Sequence, residues 1–163
     1  MTRPTGRAPG VTMNERESPE LVCQELLRHT AQGWTLLGSR CRACGEVFFP
    51  AQRACAKCCG TELAEHEIGG RGTLWSWTIQ SFLPKSPYNS GETEATFQPY
   101  GVGYVEMPSG LKVESRLTVA VPSQLEIGMP MELTLAPYRT TVEGRKVFTF
   151  AFGPCGSAAR PAG

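Results

Sequence analysis

Short runs of alternating apolar and polar residues fill the chain from Gly72 onward. This period of two predicts antiparallel β-strands with one buried face. The turn sequences Pro-Ser-Gly at 108–110 and Glu-Gly at 143–144 separate successive runs. About five such strands favour a small closed barrel over an open sheet, because closure removes unpaired edges. The positions predicted to share a buried face within their run are Trp75, Trp77 and Ile79; Leu111, Val113, Ser115, Leu117 and Val119; Met131, Leu133 and Leu135; and Phe148, Phe150 and Phe152.

The segment before residue 34 shows a different pattern. Residues 1–17 are rich in Pro, Gly, Arg and Thr without periodicity, which predicts a disordered leader. Residues 18–33 predict a helix. Ser18 is suited to the N-cap, Pro19 to the first turn and Gly33 to the stop, with an apolar stripe through Leu26 and Leu27.

Five of the seven cysteines lie between residues 41 and 60. Cys41 and Cys44 form one C-x-x-C pair, and Cys55 and Cys58 form a second. Two such turns converge four thiolates on one metal, which predicts one closed tetrahedral zinc site per chain. Iron in a rubredoxin-like site uses the same ligands and is the alternative metal.

The identity of the fourth ligand has one alternative. Cys59 would give a C-x-x-x-C pair with Cys55, and Gly60 would then be the turn glycine. Symmetry with the first pair, in which Gly45 follows Cys44, favours Cys58. Because four protein thiolates leave no open position on the metal, the site is predicted to be structural, and no catalytic residue is assigned.

The composition and charge of the chain argue against several classes of function. Apolar residues make up 40% and charged residues 19% of 163, which supports a packed core, and the formal net charge is +1. That balance argues against an electrostatic nucleic-acid binder. No run approaches the about twenty apolar residues of a membrane helix, and the N-terminus lacks the apolar core of a secretory signal. We therefore expect a cytoplasmic location, where clustered cysteines favour metal over disulfides.

Several sequences together resemble a known family. The matching stretches are GSRCRACGEVFFP, CAKCCGTEL, GRGTLWSWTI, FQPYGVGYVEM, LEIGMPMELTL and VFTFAFGP. They are similar to the acyl-CoA-associated OB-fold proteins with an N-terminal rubredoxin-like zinc ribbon, long catalogued as a domain of unknown function. The resemblance covers residues 19 to 154. In that family glycine usually follows the fourth cysteine, whereas this chain has Cys59 there.

The resemblance implies a mainly β protein with an N-terminal helix, a zinc ribbon and a five-stranded OB-fold barrel. Its members act as partners of thiolase-fold enzymes that make or break carbon–carbon bonds in CoA thioesters, as in benzylsuccinyl-pathway thiolase or steroid side-chain aldolase. We therefore expect a non-catalytic accessory subunit, two copies with two of a thiolase-fold partner, that helps to enclose the acyl-CoA. The predicted domains are the leader at 1–17, the helix at 18–33, the ribbon at 34–68, the barrel at 69–154 and a loose tail at 155–163.

Other interpretations stay open at this point. OB-folds and zinc ribbons also bind nucleic acids, and iron in the site would suggest an electron carrier. Residues 84–99 form either a surface loop or a partner-facing lid. An apolar surface made by the helix with Phe48, Phe49 and Pro50 is expected to dock the partner. The cations that could meet CoA phosphates are Arg71, Lys85, Arg139 and Arg145.

Overall fold

The computed structural model describes residues 19–156 of the chain. The leader predicted at 1–17 and most of the predicted tail lie outside this range. The strands are β1 (Glu20–Leu21), β2 (Leu27–Thr30), β3 (Gly33–Cys41), β4 (Val47–Phe48), β5 (Leu63–Gly69), β6 (Arg71–Gln80), β7 (Tyr100–Glu106), β8 (Lys112–Leu117), β9 (Pro130–Thr140) and β10 (Lys146–Pro154). Two 3₁₀ turns lie at Gln24–Leu26 and Pro122–Gln124. Within residues 19–156, no helix has the length and apolar character needed to cross a bilayer.

The barrel predicted from the alternation is confirmed. Strands β6 to β10 pair in the order β10-β8-β7-β6-β9, and β9 pairs with β10 to close the ring. The β8–β10 pair is parallel, and the other four pairs are antiparallel. Three of the side chains predicted to face inward on β8 and β9, Val113, Leu117 and Met131, are at most 2% exposed. Phe152 on β10 is fully buried at the centre.

The ribbon is built on β3, which pairs with β2, β4 and β5. Its inner face continues the barrel core, because buried Leu27 and Leu36 belong to the same hydrophobic cluster as Leu74 and Phe152. Gly38 on β3 has no room for a side chain, since a Cβ there would meet the carbonyl oxygen of Phe48 on β4. The ribbon and the barrel therefore share one continuous core.

The predicted helix at 18–33 is wrong. Within the described part of this segment only the Gln24–Leu26 turn is helical, and β1 and β2 occupy half of the remaining residues. β2 and β3 form a hairpin in which Gly33 adopts a positive φ of 109°. The hairpin is favoured over a helix because the backbone groups on this edge of β3 need hydrogen-bonding partners, which β2 supplies. Gly33 therefore serves a strand turn rather than a helix stop.

The docking surface predicted from that helix and the ribbon edge is also wrong in this form. The Phe49 ring packs edge-on against Phe150 of the barrel at a centroid distance of 5.7 Å. Leu21 and Leu26 pack against the core as well. Val22, which lies between these two residues in the predicted helix, is exposed at 44%. The apolar side chains of this segment thus stabilise the protein's own fold.

Trp75 departs from the predicted inward face of β6. The pairing of β6 with β7 shifts register between Leu74 and Ser76, so Trp75 is the extra residue of a β-bulge. Leu74 is consequently fully buried, whereas Trp75 is 50% exposed and packs edge-on against Tyr104. Trp77, beyond the bulge, packs against the core as predicted.

Candidate metal centre

Two similar turns bring the cysteine pairs together. Each begins at a buried cysteine whose backbone carbonyl accepts a hydrogen bond from the residue four positions later, at 2.9 Å in both turns. The amides of the two buried cysteines, Cys41 and Cys55, donate to the carbonyl oxygens of Glu46 and Gly60 at 2.9 and 2.8 Å. The same backbone pattern therefore orients both C-x-x-C pairs.

The four predicted ligands converge. The sulfur atoms of Cys41, Cys44, Cys55 and Cys58 all lie within 4.8 Å of one another. The Cys41–Cys58 and Cys44–Cys55 sulfur pairs are 3.6 and 3.5 Å apart. Four ligands about 2.3 Å from a tetrahedral zinc ion would be about 3.8 Å from each other. The spacing of the four sulfur atoms therefore suits a tetrahedral zinc ion.

Cys59 occupies the position that Gly45 holds in the first turn. Both residues have positive φ, 60° for Cys59 and 78° for Gly45. Each also donates its amide to the first cysteine of its pair. In this geometry Cys58, not Cys59, belongs to the four-sulfur cluster, as the symmetry of the sequence predicts.

The electrostatics of the cluster favour a bound cation. The Cys44 amide donates to the Cys41 thiol and, helped by the Ala43 amide, lowers the pKa of Cys41 to about 7. The Gly60 amide likewise acts to lower the pKa of Cys58, but the three other cysteine side chains outweigh it and raise that pKa to about 12. A divalent cation stabilises all four thiolates together, which removes this conflict.

The strained backbone at Cys59 leads to a prediction about stability. An L-residue in the left-handed region costs about 1–2 kcal/mol relative to its preferred conformations, whereas glycine adopts that region freely. We expect Cys59→Gly to keep its metal and to raise the free energy of unfolding by about 1 kcal/mol. Urea denaturation of the metal-loaded protein measures this, with Cys59→Ala as the control that retains the strain. A lower stability for Cys59→Gly than for Cys59→Ala would contradict the prediction.

The structure does not single out the cations predicted for CoA phosphates. Arg71 pairs with Glu132 at 3.3 Å, and Arg145 pairs with Glu20 at 3.0 Å, both at the surface. Lys85 and Arg139 are exposed. Arg116, which the sequence motifs did not indicate, lies over the ring of Tyr100 at 4.0 Å in a pocket on the barrel. The alternation placed Arg116 on the outer face of β8 but gave no sign of the strand register that brings it to Tyr100.

A four-cysteine ribbon joined to a closed five-stranded barrel defines a zinc-ribbon OB-fold protein. Family models agree: residues 35–64 match "ChsH2, rubredoxin-like zinc ribbon domain" and residues 65–136 match "ChsH2, C-terminal OB-fold domain". A DUF35 domain-containing scaffold protein of Methanothermobacter thermautotrophicus is 30% identical over 129 residues, covering 78% of this chain and 92% of the relative. The chain belongs to this DUF35 family, and the resemblance noted in its sequence is confirmed.

Two further matches come from enzyme complexes. Benzoylsuccinyl-CoA thiolase subunit BbsA of Thauera aromatica is 28% identical over 130 residues, which cover 78% of this chain and 83% of BbsA. A chain in the solved structure of the Ltp2-ChsH2(DUF35) aldolase superposes with a TM-score of 0.53 at 25% identity. That alignment covers 74% of this chain and 84% of the other chain.

Proposed function

We propose that this protein is a non-catalytic, zinc-containing accessory subunit of a thiolase-fold enzyme that makes or breaks a carbon–carbon bond in an acyl-CoA. The observation that carries the proposal is the joined ribbon and barrel, which this chain shares with a thiolase subunit, an aldolase complex and scaffold proteins. Each of those relatives is named for a subunit, a complex or a scaffold.

The metal centre suits a supporting role. Cys41, Cys44, Cys55 and Cys58 would hold zinc with four thiolates, and the ion would crosslink the two turns. Because this ligand set leaves no coordination site for a substrate, the ion supplies folding energy rather than Lewis acidity. Reaction next to a thioester needs a base and a stabiliser of the developing oxyanion, which we assign to the partner.

The partner and the substrate follow from the same proposal. The chain would assemble with a thiolase-fold protein, two copies of each, since closed twofold symmetry is the commonest form of oligomer. The barrel would help to enclose the CoA thioester at the partner's entrance. Residues 84–99 would form part of this enclosure, and their loop is anchored to the barrel because Asn89 accepts a 2.8 Å hydrogen bond from Tyr138.

Co-expression tests the proposal directly. The chain is expressed alone, its thiolase-fold partner alone, and the two together. We expect one complex by light scattering and turnover of acyl-CoA by the complex at least about tenfold above either half, because the proposed site is complete only in the complex. Cys59→Ser serves as a control variant of the chain. It removes a thiol outside the four-sulfur cluster, so it should assemble with the partner like the wild type. A partner that is fully active alone, or a chain that stays monomeric beside it, would overturn the proposal.

A further inference from the structure

A pocket of about 300 Å³ opens at the surface of the barrel. Residues of β7, β8, β9 and β10 line it, and the loop between β6 and β7 contributes Tyr88. This volume is at the lower end of the range for small-molecule sites. OB-folds bind ligands on the face of their second and third strands, beside the loop between strands one and two, and β7, β8 and the loop at 81–99 occupy those places here.

Aromatic rings line the pocket. Tyr88 and Tyr138 pack edge to face at a centroid distance of 5.8 Å, and Tyr100 and Phe150 complete the lining. Burial raises the pKa of both Tyr88 and Tyr100, so these walls are partly shielded from water. The Asn89 amide donates to the Tyr138 hydroxyl at 3.3 Å and that hydroxyl donates to the Asn89 side chain at 2.8 Å. These bonds hold the loop wall in place before any ligand arrives.

Arg116 is the cation of this pocket. Its guanidinium carbon lies 4.0 Å from the centre of the Tyr100 ring, and the residue is half-buried. Across residues 19–156, no carboxylate lies within ion-pair distance of Arg116, and its side chain makes no hydrogen bond to the protein. A stacked, unpaired guanidinium in an aromatic setting is arranged to receive an oxyanion.

Two carboxylates lie near this pocket and already have partners. Glu114 lines it and accepts a hydrogen bond from the Tyr104 hydroxyl at 3.0 Å. Glu92 accepts from the Tyr88 and Ser90 hydroxyls at 3.0 and 2.7 Å. Burial acts to raise the pKa of Glu92, but its hydrogen bonds from Ser90 and Tyr88 and, to a smaller extent, the charge of Arg116 lower that pKa, so Glu92 stays ionised. Among the described residues no carboxylate is within ion-pair distance of Arg116, so the N–H donors of its guanidinium stay available.

We propose that this pocket binds a small planar anion: an aromatic ring that packs among the tyrosines and carries a carboxylate or phosphate held by Arg116. The guanidinium would donate two parallel hydrogen bonds to the oxyanion, while the ring replaces water against Tyr100 and Tyr138. This site is separate from the metal centre and does not depend on the proposed partner.

Benzoate and phenyl phosphate are the probes, and benzamide is the uncharged analogue of benzoate. Each is titrated into the full-length, zinc-loaded chain while amide chemical shifts are followed by NMR. We expect saturable shifts at the pocket residues, with benzoate or phenyl phosphate bound about tenfold or more tightly than benzamide. The stronger of the two anions identifies the carboxylate or phosphate as the preferred group.

Variants separate the parts of the site. Arg116→Gln should weaken anion binding about tenfold or more and leave benzamide binding within about threefold. Arg116→Lys keeps the charge but loses the planar fork, and should fall between the two. Arg53→Gln, which removes an exposed arginine of the ribbon, is the matched control and should bind like the wild type. Spectra of each variant first show that it is folded.

The overturning results are equally specific. No saturable shift with either anion at about 10 mM, where even a weak site would fill, would exclude the site. Equal affinity for benzoate and benzamide, or unchanged benzoate affinity in folded Arg116→Gln, would exclude recognition of the anion by Arg116. Failure of these tests leaves the accessory-subunit proposal intact, because co-expression tests that proposal without reference to this pocket.

Discussion

Cys44→Ser is expected to lose the bound metal and to unfold the ribbon. Three thiolates and a hydroxyl hold zinc far more weakly than four thiolates, and structural zinc supplies about 10–16 kcal/mol in zinc-finger peptides at neutral pH. The metal content should fall from about one zinc per chain to near zero, and residues 41–60 should become the first sites of protease cleavage. Elemental analysis and limited proteolysis with mass spectrometry measure the two effects.

Cys59→Ser is the matched control for this prediction. It makes the same chemical change in the same ribbon, but at a residue whose sulfur lies outside the four-sulfur cluster. We expect it to retain about one zinc per chain. If Cys58→Ser keeps its full zinc content while Cys59→Ser loses it, the second turn uses Cys59 instead. If purified wild-type protein contains iron in place of zinc, the electron-carrier alternative gains support.

Phe152→Ala is expected to destabilise the barrel by about 3–5 kcal/mol. The Phe152 side chain is fully buried, and its strand β10 pairs with both β8 and β9 where the ring of strands closes. Removing the phenyl group leaves a cavity in the core. The hydrogen-bonded strands around it cannot move inward to fill it. Urea denaturation should show a lower midpoint with little change in slope.

Phe82→Ala removes the same ring from a surface position. Phe82 is 72% exposed and follows the end of β6, so the change should alter the free energy of unfolding by at most about 0.5 kcal/mol. Comparable losses in the two variants would contradict the assignment of Phe152 to the centre of the core.

The barrel and the four-cysteine cluster could be predicted because their signals are local. On β8 the alternation from Lys112 to Leu117 matches the observed burial residue by residue. The two C-x-x-C pairs have the spacing of a zinc ribbon, and Cys59 has the positive φ that Gly45 has at the matching position of the first turn. Each of these inferences depends on residues within a few positions of one another.

The helix prediction is wrong because the interactions that favour the hairpin involve residues outside the local helix signals. Ser18, Pro19 and Glu20 carry genuine helix-start preferences, but such preferences amount to about 1 kcal/mol each. The burial of Leu27 beside Leu36 and the pairing of β2 with β3 stabilise the hairpin by more than these preferences stabilise a helix. The signal that could have revealed the hairpin is the pair of residues Ala31 and Gln32 between two strand-forming runs, followed by Gly33.

Trp75 and the Arg116 pocket escaped prediction for another reason. A bulge adds one residue to a strand and reverses which side chains face inward, and nothing in the local alternation marks where it falls. The pocket depends on the register between β7 and β8, which pairs Val102 with Arg116 and so brings Arg116 near Tyr100. Register is a property of two strands together, so neither run of residues contains it alone.

The metal-bearing part of the chain is fastened to the barrel at both of its ends. Before it, the Val22 amide donates to the Phe148 carbonyl of β10 at 2.9 Å. After it, the Leu133 amide of β9 donates to the Gly70 carbonyl at 2.7 Å. A module attached through one linker can swivel, whereas two anchors on neighbouring strands block that rotation. A protein that binds the ribbon therefore also fixes the orientation of the barrel.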